Sequence, residues 1–507
     1  MLPSKQYLGE MHKKWQNLLL RFPREAYKRG RQLHESLFEE GAVYLYDQEK
    51  FLDLQTRAFY QARPGDYMPP HRVIIDGDRL FVAQALQVAL SPLFMSQEQM
   101  VELADFVRAW TRALHVVLEL YCQDPEVAEI IGDEESMEST LNVPASYSSL
   151  TPWSRSDFIR FQYCVDRNEL PGGTFITARL CRRFREIFGD WLDDSIAGHK
   201  ILSFDTSLLW ETTKALYREH CSHSGHIPTP QPHLVFVVNR GSGLRSEFTL
   251  AAEEAIPYFG ADHVSVTRPE ELLYRVDDRT LFIGNRSVDI AFRFVRTPLW
   301  PWYSESEQRG VQALVQASRD LAVCCIPPWR RYLASHVVPF LIQAQRWAEV
   351  FREKVGEHYY NILQTHLPIT GVVDRRGCIV WPDGRHEQIT SLDLKRYVLK
   401  SRDSSGARGV IILRLFRPFQ RWEMAGEALQ TLHERQRLVI QEFVEPIRYP
   451  ALIMHADGLM RIRLLGKENV FSVDDVLLPG GSAMLAWNNL KIHGGSGTWL
   501  TPVFCLY

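Results

Sequence analysis

Residues 397–410 read YVLKSRDSSGARGV, and no other stretch so narrows what this chain can fold into. The run Tyr397-Val398-Leu399 ends on Lys400. A loop of Ser, Gly and Arg follows, and Val410-Ile411-Ile412-Leu413 resumes the apolar pattern. Strand-forming residues on both sides of Gly406 and Gly409 predict strand, loop, strand. Such a loop can lay backbone N–H groups over phosphate oxygens, with Lys400 as a point charge. The same residues also suit a surface hairpin with a solvated lysine. Further on, residues 437–446 read RLVIQEFVEP and predict a strand closing in Gln441-Glu442, with a helix over 421–434 before it.

A second set lies in the first third of the chain. Residues 157–165 predict a strand or short strand pair, and a polar turn leads to Pro171-Gly172-Gly173. Arg155, Asp157, Asp166 and Asn168 fall on these elements. Two carboxylates and an amide oxygen suit a hard divalent cation, and Mg²⁺ on nucleotide phosphates takes one or two carboxylates plus phosphate and water. In an extended segment Asp166 and Asn168 share one face. Arg155 could neutralise charge developing on a phosphate or carboxylate. Taken alone, the same residues also read as plain Asx-type turn residues before a Pro-Gly-Gly turn.

Other polar clusters carry less. Arg461-Ile462-Arg463 lies on a predicted strand, and residues 488–498 form a Gly-rich loop that could approach an anion or simply turn at the surface. Arg463 is the candidate clamp for a phosphate or carboxylate. His220, Cys221, His223 and His226 could bind zinc, or could end a helix whose dipole favours histidine. Residues 239–243 (NRGSG) lack the full dinucleotide and Walker patterns. Residues 299–303 (LWPWY) suit a packed loop or a substrate wall. No Gly-x-Ser-x-Gly elbow and no His-Glu-x-x-His helix occurs.

With 507 residues the chain exceeds one core, and about two to four domains are expected. A net charge of −3 gives no reason to expect nucleic acid or an anionic membrane as partner. No apolar run reaches the roughly 18–20 residues that span a bilayer. The first residues lack a signal-peptide core. Eight scattered cysteines with no CxxC pair point to reduced thiols and a cytoplasmic setting. Residues 1–140 read as largely helical, with helices over 11–37 and 97–121. Thr174 is a possible N-cap for a helix over 174–188. Strands and helices alternate from 200 to 326, a long helix is expected over 329–354, and strands dominate after 367. The fold class is therefore α/β (α+β).

Lys400, its glycine-rich hairpin, the 421–434 helix and the Gln441-Glu442 strand resemble the nucleotide-binding half of ATP-grasp ligases. Arg155-Ser156-Asp157, Asp166-Arg167-Asn168 and Pro171-Gly172-Gly173 resemble the metal-binding strands of the circularly permuted, glutathionylspermidine synthase-like group, in which these precede the lysine. Asp166 stands where that group usually has Glu. Residues 286–296 (RSVDIAFRFVR) resemble its Val-Asp-hydrophobic-hydrophobic-Arg strand, with one residue more before Arg293.

The resemblance implies ATP and Mg²⁺ as cofactors. Lys400, Ser405, Gly406 and Gly409 would hold phosphates. Gln441, Glu442 and the backbone through Val444 would hold adenine and ribose. Asp157, Asp166 and Asn168 would bind Mg²⁺, with Arg155 and Arg463 catalytic and Arg293 or Arg296 on a substrate carboxylate. It leaves the helical region over 1–145 uncovered and implies a metal-binding part of the ATP-grasp sheet over 146–230, an α/β substrate domain over 231–330 and a nucleotide-binding part over 331–507. The activity implied is ATP-dependent ligation of a carboxylate to an amine, on small molecules or peptides in natural-product biosynthesis. A non-catalytic nucleotide- or peptide-binding protein and an α/β kinase remain open, as does an oligomeric state.

Overall fold

Pro23 splits what the sequence predicts as one helix over 11–37. Its ring suits a first helical turn and breaks an interior one. The computed structural model accordingly has helices Lys5–Arg21 and Pro23–Glu39. It describes residues 5–47, 71–76, 79–131, 143, 146–168, 172–196, 199–239, 245–295, 303–329, 335–374, 377–402, 410–415, 438–455, 458–487, 490, 492 and 498–507.

The N-terminal region is less helical than expected. Strands Val43–Asp47, Arg79–Ala85 and His71–Asp76 form an antiparallel sheet within it. The amphipathic helix Gln97–Gln123 is present, and Ser96 and Gln99 close a capping box at its start. The helix expected to begin at Thr174 spans Thr174–Ser195, but its N-cap is Gly173, with φ +100°. The long helix expected over 329–354 is broken. Val338–Gln343 ends at Ala344, which is extended, and Ala348–Val355 begins afresh after one tight turn. The 421–434 helix lies outside the described residues.

Three sheets frame the molecule. A parallel sheet runs Cys324–Ile326, Ile290–Phe294, Leu234–Val238, Val264–Thr267. Its central strand Leu234–Val238 is wholly buried, as expected where helices cover both faces. A six-stranded sheet runs His386–Gln388, Cys378–Val380, Thr370–Val373, Leu438–Glu442, Tyr397–Ser401, Val410–Ile412. The largest sheet joins distant parts of the chain. The hairpin Ser154–Ile159 and Tyr163–Asn168 pairs with the long strand Gly458–Val473, which pairs in turn with Val476–Ala486 and Thr498–Leu506. Residues 154–168 thus share one sheet with the end of the chain. Gly458–Val473 is one long strand, and its turn falls after Val473.

Two apolar cores flank this sheet. One lies under Thr174–Ser195 and includes Trp15, Trp153, Phe175 and Phe471. The other lies under Gln97–Gln123 and includes Phe106, Phe158 and Val470. Among the described residues no helix is long and apolar enough to cross a membrane.

Candidate functional site

Strand alternation decides which way Lys400 points. Its neighbour Leu399 is fully buried in the core of the six-stranded sheet. Lys400 therefore faces the opposite side, with Val398, and Gln441 is registered against Val398 on the adjacent strand. Thr370 is registered against Gln441 on the strand beyond.

These side chains form a chain of hydrogen bonds. Gln441 Nε2 donates to Thr370 Oγ1 at 3.1 Å. Lys400 Nζ donates to Gln441 Oε1 at 2.7 Å and to the carbonyl of Val165 at 2.6 Å. Val165 belongs to the hairpin of the other sheet, so Lys400 ties the two sheets together. Burial lowers the Lys400 pKa, opposed chiefly by the charge of Asp166. Gln441, expected beside adenine, is thus a hydrogen-bond partner of the lysine.

The hairpin carries the carboxylates. Arg155 is registered against Asn168, and Asp157 against Asp166, so all four share one face. Asp157 is almost fully buried. Its Oδ1 accepts from Arg155 Nε at 2.6 Å. Its Oδ2 accepts from Arg155 Nη2 at 3.2 Å and from Lys467 Nζ at 2.7 Å. Burial would raise the Asp157 pKa, but the charges of Arg155 and Lys467 hold it below its usual value. Arg155 also donates to the carbonyl of Gly172.

Asp166 pairs with His336, whose Nε2 lies 3.3 Å from Oδ1. Burial works to raise its pKa too. The His336 hydrogen bond and charge, with Lys400 and Lys467, outweigh that and keep it ionised. A small cleft between the sheets is lined by Trp110, Asp166, Arg167, His336, Lys400 and Gln441, among others.

A buried carboxylate, Glu247, caps the helix that follows this hairpin. Glu247 Oε1 accepts from the Gly173 and Phe175 N–H groups at 2.8 and 3.1 Å, at the start of the Thr174–Ser195 helix. An anion suits those unpaired N–H groups. Burial nevertheless pushes Glu247 up to about 7.

Lys467, His336 and Glu247 carry no motif, and sequence reasoning missed them. The one local sign for Lys467 is its strand parity: it alternates with the buried Gly466 and Glu468.

The other expected residues separate. Glu442 is half-buried beside Arg396, and its N–H donates to Ile369. Val444 is half-buried in the segment that follows. Arg463 is exposed, four residues from Lys467 and so about 13 Å along the strand. The cation that reaches the carboxylates is Lys467 instead.

Arg293 is buried and turned inward. It donates to the carbonyls of Pro327, Val295 and Pro328, with its guanidinium 4.3 Å from the Trp329 ring centroid. These contacts hold the buried Arg293 side chain against the Pro327-Pro328-Trp329 segment. Arg296, Ser405, Gly406, Gly409, residues 240–243 and most of 488–498 lie outside the described residues, as do residues 299–302.

The histidine cluster ends a helix. Ser207–Ser224 is capped by Gly225 at φ +74°, and His223 Nδ1 bonds the Ser146 carbonyl. Among the described residues no group of three or more His, Cys, Asp or Glu could hold a metal ion. The expected Mg²⁺ set does not fit this arrangement, because an ammonium and a guanidinium already occupy both Asp157 oxygens.

No protein-family model matches the chain, and no curated protein matches it. Among solved structures, it is similar to a glutathione synthetase-like effector from Globodera pallida in its apo form. The TM-score is 0.50 at 10% identity, over 95% of this chain and 97% of that one. The likeness is one of fold, and with the sheets above it gives a mixed α+β architecture akin to that effector along nearly the whole chain.

Proposed function

We propose that this chain is an ATP-dependent carboxylate–amine ligase of the ATP-grasp kind. One observation carries the reading. Lys400, from one sheet, meets the Arg155–Asn168 hairpin of another across a shared cleft. The fold of a glutathione synthetase-like effector supports it.

In this reading a substrate carboxylate attacks the γ-phosphorus, ADP leaves, and an amine displaces phosphate from the acyl phosphate. The protein's part is positioning and charge. Lys400, held by Gln441, contacts the phosphates. Arg155, fixed by Asp157 and the Gly172 carbonyl, faces the transferring group. Glu442 and the backbone through Val444 take the adenine edge. The eight cysteines are all unpaired, which suits a reducing compartment such as the cytoplasm.

The test is a screen of amino acids and short peptides for ADP release, with products weighed by mass spectrometry. An amide with ADP supports ligation, and a phosphorylated product indicates a kinase. The engagement of Asp157 by Lys467 favours one second reading, a nucleotide-binding protein without turnover. ATP binding with no ADP release from any substrate would establish that one.

A further inference from the structure

Asp157 and Asp166 sit among cations. Asp157 is held by Arg155 at 2.6 Å and by Lys467 at 2.7 Å. Asp166 faces His336 at 3.3 Å. Lys400 Nζ lies 2.6 Å from the carbonyl of Val165, the residue before Asp166. His336 Nδ1 is 2.7 Å from the carbonyl of Ser401, which can only accept, so that nitrogen carries a proton. Arg155, Lys400 and Lys467 thus set three positive charges against two carboxylates. A dication placed between those carboxylates would lie against the Lys467 ammonium, and like charges so close repel strongly where water is scarce. A polyphosphate meets the opposite balance.

Lys467 is built for that task. It lies on the Gly458–Val473 strand two residues before Asn469, which is registered against Asp157. Its side chain is 15% exposed, and its charge acts on Lys400 and Asp166, both of which line the cleft. An ammonium has three N–H donors, and one spent on Asp157 leaves two for phosphate oxygens.

We propose that Lys467, with Lys400 and Arg155, supplies the positive charge a divalent cation would bring, so that this cleft binds a nucleoside triphosphate without a metal ion. The proposal rests on reading the cleft as a nucleotide site.

The experiment is calorimetric titration of the full chain with ATP, and separately with inorganic tripolyphosphate, in EDTA and in Mg²⁺. The Kd for ATP in EDTA is expected within about threefold of that in Mg²⁺. Lys467→Met weakens metal-free binding about tenfold or more, and Mg²⁺ then restores part of it because the ammonium that would repel it at Asp157 is gone. Lys467→Arg keeps metal-free binding. Circular dichroism checks the fold of each variant, and the wild-type comparison needs no variant. Wild-type binding of ATP that disappears in EDTA and returns with Mg²⁺ overturns the proposal and leaves the nucleotide reading standing. Metal-free binding of tripolyphosphate without binding of ATP leaves the anion site and overturns the nucleotide reading. Binding of neither ligand overturns both. Unchanged metal-free affinity in folded Lys467→Met removes Lys467 from the site.

Discussion

Lys400 Nζ lies 2.6 Å from the carbonyl oxygen of Val165, a residue 235 positions earlier in the chain. This contact joins the six-stranded sheet to the carboxylate hairpin of the largest sheet. It leaves the lysine buried beside Asp166, where an ammonium is costly unless anions are near.

Lys400→Met is expected to lower ATP-dependent ADP release by about 10²–10³-fold, the usual effect of removing one donor at a charged transition state. Steady-state assay of the variant with any substrate found in the screen measures this. Turnover within about twofold of wild type would remove Lys400 from the chemistry.

Trp153 joins three elements. Its indole donates to Thr174 Oγ1 at 3.0 Å, and its ring packs on Phe175 and Phe292 with centroids 5.5 and 5.0 Å away. Trp153→Ala should cost about 3–5 kcal/mol, because it opens a cavity where hairpin, helix and parallel sheet meet. Chemical denaturation reads this as a lower midpoint.

Stability should depend on pH through Glu247. Burial raises its pKa from 4.5 to about 7 in the folded protein. The folded state therefore holds the proton more tightly than the unfolded chain. The resulting stabilisation is fully present below about 4.5 and is lost as pH rises through about 7. Glu468, also raised to about 7 by burial, acts in the same direction. Glu247→Gln should flatten the fall of Tm across this window, with Glu468 supplying the remaining slope. Thermal melts of both proteins over a pH series test it, and an identical slope would refute the assignment.

Arg293→Met should destabilise the fold by at least about 2 kcal/mol, since it strands the carbonyls of Pro327, Val295 and Pro328. ATP affinity should stay unchanged. Unaltered stability with a raised KM for the acyl substrate would return Arg293 to the substrate-binding role expected from its strand.

Much of the site was legible because strand parity is local. Val398-Leu399-Lys400 alternates, so once Leu399 is buried Lys400 must face the other way. Arg155 and Asp157 lie two apart and so share a face, whatever the strand's neighbours. The breaks in the helices were less legible. Pro23 gave a plain signal, but the extended backbone of Ala344 belongs to no local pattern, since its N–H still closes the preceding helix on Phe340.

The sequence by itself determined the strands that carry Lys400 and Gln441, the shared face of Arg155 and Asp157, and the amphipathic helix that begins at Gln97. Those follow from forces acting over a few residues. Tertiary structure alone decided that Lys467 reaches Asp157 across 310 positions, that His336 faces Asp166, and that Gln441 holds Lys400. Charges pair with whatever the folded sheets bring within a few ångströms, and no local window of sequence records which distant strand that is.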